Sequence, residues 1–287
     1  MSIAMTAECV LCYLNRNVET ARKYGTEEQA TAFIMELMKL YTAAPEGVST
    51  PWFSDKVNRL FVEMYGLDPD RFRTEKEESN RFALERLDQI RARAEQAEDP
   101  VYAGLQLAIL GNYIDFGALY GEVSFDKLEQ MMAQAAQMEL DHKCYVILLS
   151  DLEKGSKLLY LTDNAGEIVF DRVFAEQIQK RFPHLEITFC VRGGPAQNDA
   201  TREDAAAAGI PFKVIDNGTC IAGTVLDCIS EEARQAIEEA DVIIAKGQGN
   251  CETLYGAPLN IYYAFLVKCS RFINRFGKPK LTPMLTK

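Results

Sequence analysis

The sequence contains little histidine, no excess of basic residues and no long apolar run. Only His142 and His184 occur among its 287 residues, which argues against a histidine-based triad or a histidine-rich zinc site. The formal net charge is -11, and so acidic a chain is poorly suited to bind nucleic acid. The sequence contains no run of about 18 apolar residues, the length that a membrane-spanning helix needs. We therefore expect a globular protein without nucleic-acid or membrane partners, and its oligomeric state stays open.

The usual nucleotide-binding fingerprints are also absent. The first predicted strand is followed by DNAGE, Asp163 to Glu167, instead of G-x-G-x-x-G, and no G-x-x-x-x-G-K-[ST] occurs. These loops hold phosphate groups in dinucleotide enzymes and P-loop ATPases. Their absence disfavours both classes, and it also disfavours a methyltransferase of the usual Rossmann type.

Eight cysteines are scattered along the chain, and its first residues, MSIAMTAEC, lack the basic and apolar segments of a signal peptide. We therefore expect a cytoplasmic protein with free thiols. Cys9 and Cys12 form a C-x-x-C pair, but no second pair completes a zinc site. The pair lies in a segment with a helical pattern, whereas a thioredoxin-type site follows a strand. We interpret the two thiols as packing groups of a helix.

The pattern of apolar residues changes near Gly155. Before it, helical segments predominate, among them TEEQATAFIMELMKLYTAA with a Thr26 N-cap and RTEKEESNRFALERLDQIRARAEQA. After it, strands alternate with helices, which predicts βαβ units and a parallel sheet. We predict strands at Lys157–Leu161, Ile187–Val191, Phe212–Val214, Val242–Ala245 and Tyr262–Val267, and helices at Ile168–Arg181, Asp199–Ala208 and Glu231–Glu239.

This alternation predicts an α/β fold, with a helical N-terminal part packed on a Rossmann-like parallel sheet with flanking helices. We place a helical domain at residues 1–152. The Rossmann-like domain, residues 153–287, carries the predicted metal and phosphate site.

Polar residues follow the strands of this sheet, where ligands collect in open α/β folds. Asp163 and Asn164 come after the first strand, and Asp199 follows the second. An aspartate at such a junction is often only a helix N-cap. Taken together, the three residues offer the oxygen ligands that hard divalent cations prefer. The set therefore predicts a metal site that leaves positions for water and substrate.

A glycine-rich segment, KGQGN, follows the fourth strand and runs from Lys246 to Asn250. Gly247 and Gly249 would let backbone N–H groups turn towards an anion, with the lysine adding a charge. Such a segment by itself is often a simple turn. Opposite a metal site it predicts a phosphate cradle, to which Lys268 after the last strand adds a second lysine.

The segment GNYIDFG, Gly111 to Gly117, places Asn112 and Asp115 three residues apart. On a helix these residues share a face, and a carboxylate among apolar neighbours needs a partner. The pair is either a wall of the site or a buried hydrogen-bonded pair, and the sequence leaves both possibilities open.

Six segments together resemble the DUF89 family of metal-dependent damage-control phosphatases, in its prokaryotic branch with a C-x-x-C pair. In chain order they are CVLC, GNYIDFG, LTDNAGEIVFD, VRGGPAQNDAT, AKGQGNCET and VKC, and they reach from Cys9 to Cys269. The family's fold is a helical N-terminal part on a Rossmann-like α/β part. Gln248 and Cys251 depart from patterns seen in the family, which leaves the substrate preference open.

The resemblance implies hydrolysis of phosphate monoesters of small metabolites, either sugar phosphates or related damaged or side-product phosphometabolites. It puts Asp163, Asn164 and Asp199 on ligands for Mn2+, Ni2+, Co2+ or Mg2+. It puts Lys246, Gly247, Gln248, Gly249, Asn250 and Lys268 on substrate-phosphate contacts. We add Asn112 as a substrate-side residue and Asp115 as the group that orients the attacking water.

Three alternatives stay open. Asp163 could be a covalent nucleophile, although such enzymes usually have a second aspartate two residues on, where this chain has Ala165. The protein could instead bind a metal or a phosphometabolite without catalysis. A carboxyl methyltransferase, suggested for relatives, is disfavoured by the missing glycine-rich turn.

Overall fold

The structure of the protein is a computed structural model that describes residues 2–116, 119 and 123–287. Gly117, the last residue of the GNYIDFG segment, lies outside them. The helices are α1 (Ala7–Tyr24), α2 (Glu27–Thr42), α3 (Ser54–Tyr65), α4 (Arg73–Leu84), α5 (Leu87–Glu95), α6 (Pro100–Gly111), α7 (Phe125–Ala133), α8 (His142–Lys154), α9 (Glu167–Arg181), α10 (Arg202–Ala207), α11 (Glu231–Glu239), α12 (Gly247–Leu254) and α13 (Ser270–Phe276). The strands are β1 (Lys157–Leu161), β2 (Glu186–Val191), β3 (Lys213–Asp216), β4 (Val242–Lys246), β5 (Ile261–Leu266) and β6 (Pro283–Thr286), and short 3-10 helices cover Thr50–Phe53 and Ala135–Gln137.

Local signals set several helix boundaries. The hydroxyl of Thr26 accepts a hydrogen bond from the Gln29 N–H at 3.3 Å, and the Gln29 side chain accepts one from the Thr26 N–H at 2.9 Å. This capping box fixes the start of α2 and confirms the predicted N-cap. α3 is capped at its C-terminus by Gly66, whose φ of 65° favours glycine. The long charged helix predicted over residues 73–97 is wrong in one respect, because it is divided into α4 and α5.

The six strands form one sheet in the order β3-β2-β1-β4-β5-β6. Strands β1 to β5 are parallel to their neighbours, and β6 lies antiparallel to β5. All five predicted strands are confirmed within one or two residues, and the fold class is confirmed with them. Strand β6 was not predicted. The predicted helix over residues 199–208 begins only at Arg202, because Asp199 forms a β-bridge with Asn164.

Alternate residues of the strands enter two different cores. Leu158 and Tyr160 of β1 pack into a cluster with α4 to α9, whereas Leu159 and Leu161 pack into a second cluster with α11 to α13. This is the period of two expected for a strand buried on both faces. A third cluster joins α1, α2 and α3. The sheet is therefore covered on both sides by helices, and its edges are where a ligand can approach it.

Helices α6 and α9 pack closely against each other on one face of the sheet. A Cβ atom on Gly111 would lie only 3.0 Å from the ring of Phe170, so glycine permits the close approach of the two helices. The predicted domain boundary between residues 152 and 153 falls inside α8, and the two-domain division stays a prediction. None of the helices in the described part of the chain is both long and apolar enough to cross a membrane.

Candidate active site

The strand order changes direction between β1 and β4, and this is the switch point where open α/β sheets bind ligands. The segments after β1 and β2 are joined there by backbone hydrogen bonds. The Ala200 N–H donates to the Asp163 carbonyl at 2.7 Å, and the Ala165 N–H donates to the Asn198 carbonyl at 2.8 Å. These bonds bring the side chains that follow two separate strands to one edge of the sheet.

Asp163 and Asp199 both contact the guanidinium group of Arg192. Arg192 donates from Nε to Asp199 Oδ2 at 2.6 Å, and its Nη2 lies 3.7 Å from Asp163 Oδ1. All three residues are at least nine-tenths buried. The structure therefore brings together the two carboxyl groups that the sequence predicted as metal ligands, with a fixed positive charge between them.

Two amides hold the Asp163 carboxyl group in place. Asn112 and Asn164 donate to Asp163 Oδ2 at 3.0 and 2.9 Å, and both also donate to the carboxyl group of Glu167. The side-chain oxygen of Asn164 accepts a hydrogen bond from Asn198 at 3.0 Å. Asn164 thus directs its NH2 group, and not its oxygen, towards Asp163. Its predicted role as a metal ligand stays a prediction.

Asn112 and Asp115 do not form the helical pair considered from the sequence. α6 ends at Gly111, so both residues lie beyond the helix. Asp115 accepts a hydrogen bond from the Lys268 ammonium at 2.5 Å, and the Lys268 N–H donates to Gln248 Oε1 at 2.5 Å. The pairing of Asp115 with Lys268 connects the segment after α6 to the segment after β5.

The Lys246 side chain does not point towards the phosphate cradle that the sequence predicted for it. Its ammonium group donates to the Ala108 carbonyl at 2.8 Å and to Glu167 and Asp171 at 2.7 Å each, and the side chain is fully buried. Three N–H bonds are all that an ammonium group can donate. The expectation that Lys246 contacts a substrate phosphate is therefore not supported, because the group is already occupied inside the core.

Asn250 is a structural link at the same edge. Its NH2 group donates to the carbonyls of Thr162 and Lys246, and its oxygen accepts from Arg192 and Thr224. The side chain thus joins the ends of β1 and β4 and steadies the guanidinium between the two aspartates.

The predicted glycine-rich loop is the first turn of α12. Gly247 has a φ of 78°, and a Cβ atom there would lie 1.9 Å from Asp163 Oδ2. A Cβ atom on Gly249 would lie 2.3 Å from the Ala222 carbonyl oxygen. Neither position has room for a side chain. The glycines allow the start of a helix, where backbone N–H groups lack partners within the helix, to approach the carboxyl group directly.

Substitution of Gly247 by Ala is expected to cost both stability and activity. The left-handed backbone alone costs about 1–2 kcal/mol for a residue with a Cβ, and the clash also displaces Asp163. We expect kcat/KM to fall about 10- to 100-fold. Gly277→Ala is the matched control, since Gly277 has a φ of 64° and nothing within 4 Å of its added Cβ. Denaturant unfolding and phosphatase assays on both variants check this, and equal kcat/KM values would contradict it.

The acidic residues of the site repel each other. Burial, Asp199 and Glu167 raise the pKa of Asp163 well above its usual range. Burial raises the pKa of Asp199 to about 6 and that of Asp171 to about 7, although Arg192 and Lys246 oppose the two shifts. Such shifts are typical of functional sites, where like charges are held together for a purpose.

The composition of the site fits a divalent cation. Five carboxyl groups share this region with three cationic groups: Asp115, Asp163, Glu167, Asp171 and Asp199 with Arg192, Lys246 and Lys268. A cation with two charges would offset the formal excess. Among the described residues, no three histidine, cysteine or acidic side chains could hold a metal ion by themselves. A metal bound by Asp163 and Asp199 therefore also needs an amide, backbone or water oxygen, which hard cations accept.

A cavity of about 140 Å³ opens beside these residues. Six of the predicted site residues line it: Asp115, Asp163, Asn164, Asp199, Gln248 and Gly249. The other predicted site residues are buried: Asn112, Lys246, Gly247, Asn250 and Lys268. Another wall comes from α1, which contributes Cys9 and Cys12. The interpretation of these cysteines as packing thiols is wrong, since Cys12 is exposed and Cys9 is half-buried.

Glu252 also lines the cavity, and burial raises its pKa to about 7 from an ordinary 4.5, although Thr50 and Arg271 oppose the shift. An acid with a raised pKa binds more protons when folded, so stability falls as the pH rises from about 4.5 to about 7. Glu252→Gln should remove this loss. Since one pKa unit is about 1.4 kcal/mol and partial exposure screens the charge, we expect the variant to gain about 1–2 kcal/mol above pH 7.

Urea unfolding of wild type and Glu252→Gln at several pH values measures this gain. The difference between the two proteins should shrink as the pH falls from about 7 and should vanish below about 4.5, where the wild-type carboxyl group is protonated in both states. A difference independent of pH would contradict the assignment.

Three charged residues of the site were not predicted from the sequence: Glu167, Asp171 and Arg192. Glu167 and Asp171 are fully buried on α9, where their spacing of four residues on an otherwise apolar face was a usable signal. Arg192 directly follows the second strand and was given no role from the sequence, yet it contacts both Asp163 and Asp199. Nothing in the sequence alone indicates that a residue of α9 accepts a hydrogen bond from Lys246.

The fold and the geometry of this region define a Rossmann-like α/β protein with a cluster of buried acidic groups beside a cavity at the carboxyl edge of its sheet. The chain belongs to the family of the damage-control phosphatase ARMT1-like domain, whose model matches residues 5–281. The family assignment made from the sequence is thereby confirmed.

Several known proteins are similar over most of the chain. An uncharacterised protein of Methanocaldococcus jannaschii is 33% identical over 96% of this chain and 93% of its own. A damage-control phosphatase of Archaeoglobus fulgidus is 29% identical, with 94% of each chain covered. The crystal structure of a DUF89 family protein from Pyrococcus horikoshii superposes with a TM-score of 0.81 at 29% identity, covering 99% of both chains.

Proposed function

We propose that this protein is a metal-dependent phosphatase that hydrolyses phosphate monoesters of small metabolites. Sugar phosphates, or related damaged or side-product phosphometabolites, are the substrates we propose. One observation carries the proposal: Asp163 and Asp199, from two loops, share the guanidinium of Arg192 directly beside the first turn of α12. The names of relatives support it, since those of Archaeoglobus fulgidus and Pyrococcus horikoshii are called damage-control phosphatases.

In this proposal Asp163, Asn164 and Asp199 would hold a divalent ion, one of Mn2+, Ni2+, Co2+ and Mg2+. When bound, such an ion supplies a Lewis acid for a phosphoryl oxygen and an acidified water molecule. Arg192, Asn112 and Asn164 position the two carboxyl groups for this purpose.

Groups of the protein itself bind the phosphate ester and accept the proton of the attacking water. N–H groups in the first turn of α12, at Gly247 to Gly249, bind phosphate oxygens through their free hydrogens and the helix dipole. Asp115 lines the cavity, and Lys268 holds its carboxyl group at 2.5 Å. We assign Asp115 to orient the attacking water and to accept its proton at the carboxylate. Lys246 has a positioning role, since it neutralises Glu167 and Asp171 beneath the site.

A substrate and metal screen tests the proposal. The purified protein is treated with a chelator and then assayed for phosphate release from p-nitrophenyl phosphate, sugar phosphates and nucleotides, with each of the four metals added separately. We expect release from monoesters only when a metal is present, and loss of activity when the chelator is returned. Metal or ester binding by calorimetry without any release would contradict the proposal and favour a non-catalytic binding protein.

A further inference from the structure

Three thiols line the cavity, and none of them has a role in the proposed hydrolysis. Cys9 and Cys12 belong to α1, and Cys269 precedes α13. All eight cysteines of the chain are free thiols. A thiol that stands beside a substrate cavity can change access to that cavity when it is modified.

Five of the eight thiols are made less acidic by burial. It raises the pKa of three buried thiols, Cys144, Cys190 and Cys251, and of two half-buried ones, Cys220 and Cys269. The Cys269 sulfur also accepts a hydrogen bond from the Gln248 amide at 3.4 Å. Buried thiols with raised pKa values are inert compared with exposed ones. This leaves Cys9 and Cys12 in the cavity, and Cys228 on the surface elsewhere.

Cys9 and Cys12 are three residues apart on α1, so their side chains lie on the same face with Cβ atoms about 5–6 Å apart. A disulfide needs a Cβ separation of about 3.5–4.5 Å. Cys9 belongs to the first turn of the helix, whose N-cap residue Thr6 makes no side-chain bond to the backbone. The Thr6 hydroxyl contacts the Cys9 sulfur at 3.3 Å instead. A first turn without a cap can tighten by the small amount that a disulfide requires.

We propose that Cys9 and Cys12 are a modification site, where a small-molecule disulfide oxidises the two thiols to a reversible disulfide that displaces the α1 wall of the cavity and lowers activity. This inference rests on the proposed function for its effect on activity, but the disulfide itself can be measured without it.

The chemistry balances with a disulfide as the oxidant. The thiolate of Cys12, the more exposed residue, attacks one sulfur of the small molecule, breaks its S–S bond and releases one thiolate. The Cys9 thiolate then attacks the Cys12 sulfur of this mixed disulfide and releases the second thiolate. Two protein thiols are oxidised, and one small disulfide is reduced to two thiols. A dithiol reverses both steps.

The modification changes the cavity through α1. Glu8, Tyr13 and Arg16 of the same helix also line it. The segment before α1 is anchored, since Ile3 donates its N–H to the Glu252 carbonyl at 2.7 Å. Tightening between a fixed segment and the helix therefore moves cavity-lining residues, and displacements of about 1 Å in a site can cost up to about 100-fold in rate.

Oxidised glutathione is the probe. The reduced full-length protein is treated with it, and phosphatase activity and intact mass are followed together. We expect kcat/KM to fall about tenfold or more as the protein loses two hydrogen atoms, with peptide mapping showing a Cys9–Cys12 bond. Dithiothreitol should restore both mass and activity.

Serine variants separate this site from other thiols, with each activity compared to that of the same variant before treatment. Cys228→Ser should be inhibited like wild type. Cys9→Ser should stop at a glutathione adduct on Cys12, and Cys12→Ser should resist inhibition. A bond that includes Cys269, or a Cys9–Cys12 bond that leaves activity unchanged, would overturn the proposal. Absence of phosphatase activity before any treatment would instead count against the proposed function, and the mass would still decide whether the disulfide forms.

Discussion

Replacement of Asp163 by Asn is expected to reduce kcat for a phosphate monoester by about 100- to 1,000-fold while the fold is retained. The physical reason is that the Asp163 carboxyl group is buried beside Asp199 and Glu167, which raise its pKa. In the proposed mechanism this crowded negative charge is what attracts the metal. An amide of the same shape can still accept the hydrogen bonds of Asn112 and Asn164, but it carries no charge.

The measurement is steady-state kinetics with the best metal of the screen, together with metal content and urea unfolding of the metal-free protein. We expect the variant to hold less metal and to unfold at no lower urea concentration than wild type, since a costly buried charge has been removed. Asp88→Asn serves as the control, because that side chain is fully exposed. Metal-dependent turnover at wild-type rates in Asp163→Asn would remove the basis of the assignment.

Replacement of Lys246 by Met is expected to lower the free energy of unfolding by about 3–5 kcal/mol, because it leaves buried carboxyl groups without their cation. Glu167 and Asp171 each lie 2.7 Å from the ammonium group, and all three side chains are fully buried. The loss should become smaller at low pH, where the abandoned carboxyl groups take up protons.

A surface pair provides the comparison. Lys157 contacts Glu239 at 2.6 Å, but both side chains are nearly half exposed. Lys157→Met should therefore cost no more than about 1 kcal/mol. Urea unfolding of both variants at neutral and acidic pH tests the difference. If Lys246→Met raised KM for the ester without loss of stability, Lys246 would be a phosphate contact as first expected, and its buried role would be wrong.

Features that depend on local sequence were predicted well. The order of helices and strands, the Thr26 cap and the extent of β1 follow from apolar periodicity and capping residues within a few positions of each other. The convergence of Asp163 and Asp199 was also predictable, because the carboxyl ends of neighbouring parallel strands meet at one edge. Which of these residues bind metal or substrate is still a prediction.

Features that depend on packing between distant segments were predicted poorly, and the direction of the Lys246 side chain is an example. The strand predicted from the sequence ends at Ala245, whereas β4 includes Lys246 as its last residue. Within the strand, the period of two sends Lys246 to the same face as Ile244, towards α6 and α9 and away from the cavity. A boundary error of one residue is common in sequence analysis, but here it reverses the side to which a charged group points.

The sequence by itself determined the α/β class, the edge of the sheet that carries polar residues, and the types of residue found there, because these follow from local patterns and strand direction. Tertiary structure alone decided that Lys246 is a buried counter-ion for Glu167 and Asp171, and that the Cys9–Cys12 pair lines the cavity. These facts depend on contacts between segments far apart in the chain, where the packing of α1, α6 and α9 against the sheet selects the partner of each side chain.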